Sequence, residues 1–387
     1  MKLLYITSKP AYPSLDGGCM AIKRFLDALI QGGHDITHLT FETHKHPFYP
    51  SEWPEEIKKS IDLHSIFIDT KIKPLRMLAK TLCGNSYHLS RFRTPDLCRK
   101  ISQLVQSKSF DAIVFDGLYS AACLHDLRLD ANLKIYIRTH NVEHEIWNTL
   151  AKNSRSAGKS FITRILAQAL KKDEIKILNQ VNGLFSISPE DTKKFIALGI
   201  KSTIVDLPVS IDISKPSEPS ASNSFFFIGG IDWIPNKEAL HFLISEIFPQ
   251  IKAKIPSAEL HIAGIGTDQL KVGEGIKCHG FVPDSIAFMR ESGTLLLPLK
   301  SGSGVRIKIL EAMSIGVPIV TTSIGKEGIN ALECMSIADT TDAFIKASIV
   351  LQDSIVLKEK YAKNSRDYIQ ANYSSTSIST ALNEILH

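Results

Sequence analysis

The chain has 387 residues, 44% of them apolar and 22% charged, with a net charge of +5. That length exceeds one ordinary core and suits two domains, and the mild positive charge admits anionic partners without indicating nucleic acid. Scattered cysteines with no C-x-x-C pair, an N-terminus without signal-peptide chemistry and no apolar run of membrane-spanning length lead to the expectation of reduced thiols and a cytoplasmic protein.

In chain order, "KLLYIT" reads as a strand, "CMAIKRFLDALIQGG" as a helix and "DITHLTF" as the next strand. "DAIVFD", "KIYIRT" and "GLFSIS" continue the series, and "FFFIGG", "AELHIAG", "TLLLPL" and "PIVTT" repeat it in the second half. β-branched runs separated by amphipathic helices indicate parallel sheets covered on both faces. The expected fold class is therefore α/β, with two doubly wound domains facing each other across a cleft. The first spans 1–205. Residues 206–224, "DLPVSIDISKPSEPSASNS", read as an exposed linker rich in proline and serine. The second domain spans 225–365, and a helical tail, 366–387, is expected to pack back on the first.

Ligands of doubly wound sheets sit at the carboxyl ends of strands. After "KLLYIT", Gly17 and Gly18 precede a helix. They would let a backbone approach an anion at the helix start, although a plain turn explains them too. After "KIYIRT", His140, Glu143 and His144 spell H-x-x-E-H, a zinc-peptidase pattern. His140 leaves a strand directly, however, and a helix starting near Val142 would part it from His144. A binding or catalytic imidazole is the main expectation, with a buried or solvated histidine the plainer one. His34, His38, His44 and His46 straddle a turn, a strand and a loop and are read as holding no metal.

In the second half, Gly229 and Gly230 close "FFFIGG", and Asn236 suits an N-cap. Gly264 and Gly266 begin a G-x-G, but Gln269 stands at the third glycine position, and Ile307 fails the same test after Gly302 and Gly304. No Walker A or G-x-S-x-G sequence occurs. The turn "GFVPD" would offer backbone groups of Phe281 and Val282 to a flat base; an ordinary strand-to-helix turn reads as well. "SGSGVRIKILEAMSIG" then combines a glycine loop with a helix whose buried face is Val305, Ile309, Ala312 and Met313. Gly302, Ser303 and Gly304 let the backbone meet a phosphate, the helix start adds positive potential, and Arg306 and Lys308 add full charges. Glu311, one turn on, suits a ribose diol. A solvent-exposed Lys–Glu helix pair is the plainer alternative.

At these residues the chain resembles the family-4-like glycosyltransferases (glycosyl transferases group 1) of the GT-B fold, in which two Rossmann-like domains face a cleft. "FFFIGGIDWIPNKEAL", "HGFVPD" and "SGSGVRIKILEAMSIGVPIVTTSIGKEGI" look like three consecutive family motifs. The "DGG" loop and "RTHNVEHEIW" are similar to the family's acceptor-domain pattern. The resemblance implies a nucleotide-sugar donor, transfer to a glycan or lipid-linked acceptor, retention of configuration, and no metal or other cofactor. It places Glu311 on the ribose, and Arg306, Lys308 and the Gly302–Gly304 loop with Val305 on the diphosphate. It sets His140 beside the transferred sugar, and Gly17 and Gly18 near the diphosphate. The family often carries a second Glu eight residues before Glu311, where this chain has Ser303, and an Arg where it has Gly230.

Lys71 to Lys100 holds eight Lys or Arg against one Asp, and "RSAGKSFITRILAQALKK" is basic and amphipathic. Both suit an anionic or lipid-diphosphate acceptor and a peripheral contact at the inner face of an anionic membrane; a solvated helical face is the plainer reading. Three alternatives stand beside transfer: a nucleotide-sugar epimerase on the same fold, a zinc peptidase built on His140, Glu143 and His144, and a non-catalytic sugar-nucleotide binder.

Overall fold

A computed structural model describes the chain except residues 15, 83, 153, 155, 214–222, 303 and 387. It divides into two compact units, one of Met1–Ser210 with Ile378–His387, the other Ile211–Ser377. In the first unit, seven strands form a parallel sheet: β1 (Lys2–Thr7), β2 (Asp35–Glu42), β3 (Ile61–Phe67), β4 (Ala112–Asp116), β5 (Lys134–Thr139), β6 (Gly183–Ser186) and β7 (Thr203–Asp206). Their order is β3-β2-β1-β4-β5-β6-β7. The side-chain period of two sends Leu3 and Tyr5 to one buried face and Leu4 and Ile6 to the other. Helices cover both faces, so β1 and the body of β4 are continuous apolar runs rather than alternating ones.

The second unit has six parallel strands: β8 (Ser224–Ile228), β9 (Glu259–Ala263), β10 (Ile276–Gly280), β11 (Thr294–Leu297), β12 (Ile319–Thr321) and β13 (Ser336–Ile337). Their order is β10-β9-β8-β11-β12-β13. Phe225, Phe226 and Phe227 of β8 are wholly buried, each stabilising the unit by about 1.5–3 kcal/mol through removal of apolar surface from water. The strand order reverses between β1 and β4 in one sheet and between β8 and β11 in the other. At such a reversal the helices depart to opposite faces and leave a crevice at the strand ends.

The sequence reading missed β3, β7 and β13. All three are edge strands with half-buried side chains, so their apolar runs are interrupted, as in "IDLHSIF". The expected exposed linker starts in the interior, since Leu207, Val209 and Ile211 are buried; residues 214–222 of it lie outside the described residues. The expected tail divides. The helix Ile355–Tyr373 belongs to the second unit, whereas Ile378, Leu382 and Leu386 of the helix Ser375–Leu386 bury against the first unit's core. Among the described residues, no helix is long and apolar enough to cross a membrane.

Candidate functional site

The β8/β11 reversal of the second unit gathers most of the expected residues. The helix Ile307–Ser314 follows β11 and brings Lys308 to the end of β8. There Lys308 Nζ donates to the Ile228 carbonyl at 2.7 Å and to Asn236 Oδ1 at 2.9 Å, and lies 5.0 Å from the Phe227 ring centroid. Burial, reinforced by Arg306, pushes the Lys308 amine down to about 7 against the pull of Glu311. Asn236 was expected to cap its helix. Instead the helix Ile234–Phe242 starts two residues earlier behind Trp233, and Asn236 is a buried bridge whose Nδ2 donates to the Gly230 carbonyl at 2.9 Å.

Arg306, the N-cap of Ile307–Ser314, is also buried. Its Nη1 donates to the Gly304 carbonyl at 2.6 Å and its guanidinium lies 5.3 Å from the Trp233 ring. Burial lowers its pKa to about 10, with Glu327 opposing. Arg306 caps with no side-chain bond to the helix amides, so the first turn keeps donors for an incoming anion. Gly302 has φ +107°, and a Cβ there would press on the Trp233 ring and Arg306 at 3.1 Å. Glycine is thus required for backbone, indole and guanidinium to share this space. Ser303 lies outside the described residues. Val305, expected on the helix's buried face, precedes the helix and is half-buried, whereas Ile309, Ala312 and Met313 are buried as expected.

Gly229 and Gly230 follow β8. Gly229 donates its N–H to the Ala263 carbonyl at 2.8 Å, and a Cβ on Gly264 would collide with the Gly229 backbone. The β8 and β9 ends therefore approach more closely than side chains allow. After β10, Phe281 is 58% exposed while Val282 packs against the core. Glu311 lies one turn beyond Lys308 with only 5% of its surface exposed, and it is engaged by neighbours within the protein. A ribose would have to exchange those contacts for its hydroxyls.

In the first unit, Gly17 and Gly18 are the first two residues of the helix Gly17–Gln31 rather than a loop before it. Asp16 caps that helix by accepting from Cys19 N at 2.8 Å; it also accepts from Lys9 Nζ at 2.7 Å and bonds His46 Nε2 at 3.0 Å. Although burial works against it, the His46 and Lys9 bonds hold the Asp16 carboxyl far below the usual range. Lys9 lies over Gly18, so the turn carries a cation that the sequence reading had not assigned.

His140 follows β5 and donates a short bond from Nε2 to Asp116, at the end of β4. Asp116 is wholly buried and also accepts from Tyr5 and, at 3.0 Å, from Arg138 Nη1. Burial opposes its ionisation, but Arg138 and His140 keep it charged well below the carboxylate range. His144 pairs through Nδ1 with Glu174 at 2.6 Å, and Glu174 also accepts from the Glu143 and His144 backbone N–H groups at the start of the helix Glu143–Lys152. The zinc-peptidase constellation is therefore not assembled. Each histidine is bound to its own carboxylate, and among the described residues His140, Glu143 and His144 do not converge as a metal-ligand group. Glu143 is left with a carboxyl pushed up to about 7 by burial and by Glu174. The missed pair, Asp116 and Arg138, had one sequence signal: charged residues inside strands otherwise apolar enough for a two-sided interior.

Residues 222–353 match the family model described as Glycosyl transferases group 1. That stretch of the chain is similar to the group 1 glycosyltransferases. The matched residues include the β8/β11 crevice, Arg306, Lys308 and Glu311. Sucrose-phosphate synthase from Thermosynechococcus elongatus superposes with a TM-score of 0.72 at 14% identity, covering 100% of this chain and 98% of that one. TarM of S. aureus gives 0.71 at 12% identity over 100% of both chains. HepE of Anabaena gives 0.64 at 15% identity, over 100% of this chain and 99% of that one. The fold is GT-B. A Klebsiella pneumoniae relative, an uncharacterized 44.6 kDa protein in the cps region, is 22% identical over 407 residues, 98% of each chain.

Proposed function

We propose that this protein moves a glycosyl group from a nucleoside diphosphate sugar to a hydroxyl of a glycan or lipid-linked acceptor, with retention of configuration and without a metal ion. The observation that carries this reading is Lys308, whose amine is held by the Ile228 carbonyl and Asn236 at the β8/β11 reversal, with Arg306 two residues away. Two cations and a helix start with no side-chain cap bond, at one strand-end crevice, suit a diphosphate. TarM and HepE, with which the fold is shared, have been crystallised with UDP and with UDP-glucose respectively, which supports a nucleotide-sugar donor. The cps-region relative supports a place in polysaccharide assembly.

In the proposed reaction the bond from the anomeric carbon to the phosphate oxygen breaks while positive charge builds on the sugar and negative charge on the leaving diphosphate. Lys308, Arg306 and the first-turn amides stabilise that negative charge, doing locally what a divalent cation does elsewhere. The acceptor hydroxyl attacks the same face, and its proton passes to the departing phosphate oxygen. His140, fixed by Asp116, hydrogen-bonds the transferred sugar. Glu311 reads the ribose, and Phe281 with Val282 borders the base. Incubation with radiolabelled donor sugars and membrane or glycan acceptors tests the reading. Label should appear in a product with the donor's anomeric configuration; label confined to an epimerised nucleotide sugar would refute it.

The proposal extends to where the acceptor lies. In the first unit the helices Pro74–Leu82 and Ala157–Leu178 pack on one another. They expose Leu75, Phe161, Ile162 and Ile165 to solvent among exposed Arg76, Lys159 and Arg164. Apolar side chains set among cations suit the headgroup region of an anionic bilayer, and we assign this face to the inner surface of a membrane bearing the acceptor. Sedimentation with anionic liposomes at low salt should carry the protein down, and Phe161→Asp should leave it in solution.

A further inference from the structure

Cys98 lies in the first turns of the helix Pro95–Ser107, and Cys123 in the segment that follows β4. Their Sγ atoms are 2.7 Å apart. That is closer than two sulfurs in van der Waals contact and approaches the covalent distance of about 2.05 Å. Cys123 is fully buried and Cys98 half-buried, so one sulfur of the pair meets solvent and the other waits behind it. Arg93 binds both oxygens of the Asp126 carboxylate, and Asp126 Oδ2 lies 3.7 Å from Cys98 Sγ. The Asp126 carboxylate therefore stands beside the more accessible thiol and disfavours its thiolate, while the Arg93 guanidinium that it binds opposes this in part. Two thiols and a carboxylate also make a group that a soft metal would recognise. The carboxylate, however, is already committed to a fixed cation, which argues against a second one there.

We infer that Cys98 and Cys123 form an oxidisable dithiol that closes to an intramolecular disulfide on exposure to a small-molecule disulfide such as oxidised glutathione. Cys98 loses its proton to solvent and attacks one glutathione sulfur, releasing one glutathione thiolate and leaving a mixed disulfide at Cys98. Cys123 then attacks Cys98 Sγ, its proton passing to the second glutathione as it leaves. Two electrons move from the protein sulfurs to the oxidant, and the products are one protein disulfide and two glutathione molecules. Burial raises both thiols, Cys123 beyond the usual range and Cys98 less so, because the bond to Cys123 opposes the rise while Asp126 adds to it. Cys98 is therefore the attacking group, and the reaction is slow near neutral pH and faster in mild alkali.

The bond would tie the start of Pro95–Ser107 to the segment between Asp116 and Asp126. That segment carries Tyr119, which stacks on Phe92 with centroids 5.0 Å apart and meets Trp147 Nε1 at 3.5 Å. Oxidation would thus pin the connection that leaves β4 at Asp116, the partner of His140. The proposal does not rest on the glycosyl-transfer reading, because it is measured without any substrate.

The test is differential alkylation and peptide mass spectrometry of the full-length chain after incubation with oxidised glutathione at pH 8. The expected product is a Cys98–Cys123 cross-linked peptide that dithiothreitol removes, with Cys19, Cys83, Cys278 and Cys334 still alkylated. Cys123→Ser should stop at a stable glutathione adduct on Cys98. Wild-type protein carries the main test, so a Cys123→Ser chain that fails to fold leaves the outcome readable. A lasting glutathione adduct on wild-type Cys98 would overturn the inference. So would both thiols remaining alkylatable, or stoichiometric zinc that shields them until a chelator is added.

Discussion

The amine of Lys308 occupies the space that a side chain at Gly229 would fill: a Cβ there would lie 2.5 Å from Nζ and 2.6 Å from Asn236 Nδ2. The glycine at the end of β8 and the lysine after β11 therefore depend on one another across the sheet's reversal. Gly229→Ala should displace the amine, which is the flexible end of a long side chain, and add strain because φ is +154°. The expected outcome is a second unit that still folds but binds nucleoside diphosphate about tenfold or more weakly, a loss of at least about 1.4 kcal/mol by titration calorimetry.

Gly264→Ala makes the contrasting case. Its new Cβ would meet the Gly229 backbone, which cannot rotate away, at a position with φ +136°. It should lower the melting temperature of the second unit more than Gly18→Ala lowers that of the first, where the obstacle is the mobile end of Lys9. Equal losses measured by calorimetry would contradict this account of the two glycines.

Lys308 should leave a mark on stability against pH. Its ordinary pKa of 10.5 applies to the unfolded chain and falls to about 7 in the folded one. Between those values the unfolded chain binds more protons, so unfolding becomes harder as pH rises. Below about 7 both states are charged and the folded state bears the full cost of the buried ammonium. Wild-type protein should therefore gain stability relative to Lys308→Met as pH is raised from about 7 to about 10. Parallel denaturant curves across that range would refute the shift.

The same displacement predicts proton uptake on donor binding. A diphosphate favours the ammonium form, so a lysine that is partly neutral at pH 7.5 must gain a proton as the ligand arrives. Calorimetry in buffers of different ionisation enthalpy should show net uptake with wild-type protein and less with Lys308→Met.

The first unit offers a test independent of any ligand. Asp116 is buried against Arg138, Tyr5 and His140. Asp116→Ala leaves the Arg138 guanidinium buried without its counter-charge, which typically costs about 3–5 kcal/mol. Chemical denaturation should show that loss in the transition of the first unit.

Much of this was legible from the chain alone, because two-sided burial makes parallel strands apolar without interruption, and glycines at their ends mark where backbone approaches backbone. The central strands, the glycine loop and the helix carrying Lys308 were read within a few residues. The edge strands were not, since β3, β7 and β13 bury too little for a continuous apolar run. Asn236 was misassigned because a polar residue near a proline at a helix start satisfies capping rules equally well. Only the fold shows Lys308 arriving from across the sheet to claim its side chain. The Asp116–His140 bond joins residues from neighbouring strands, and nothing in local spacing announces it. The H-x-x-E-H pattern failed for the same reason: Glu174, distant in sequence, takes His144.

The most direct measurement is titration calorimetry of UDP, GDP, ADP and dTDP, and of their glucose conjugates, against wild-type protein and Lys308→Ala. The account predicts that at least one nucleoside diphosphate binds the wild type and that Lys308→Ala weakens it by about a hundredfold, the loss expected when one fixed cation leaves a desolvated phosphate site. If none of them binds, or if the variant binds as tightly as the wild type, Lys308 does not hold a diphosphate and the β8/β11 crevice is not the donor site.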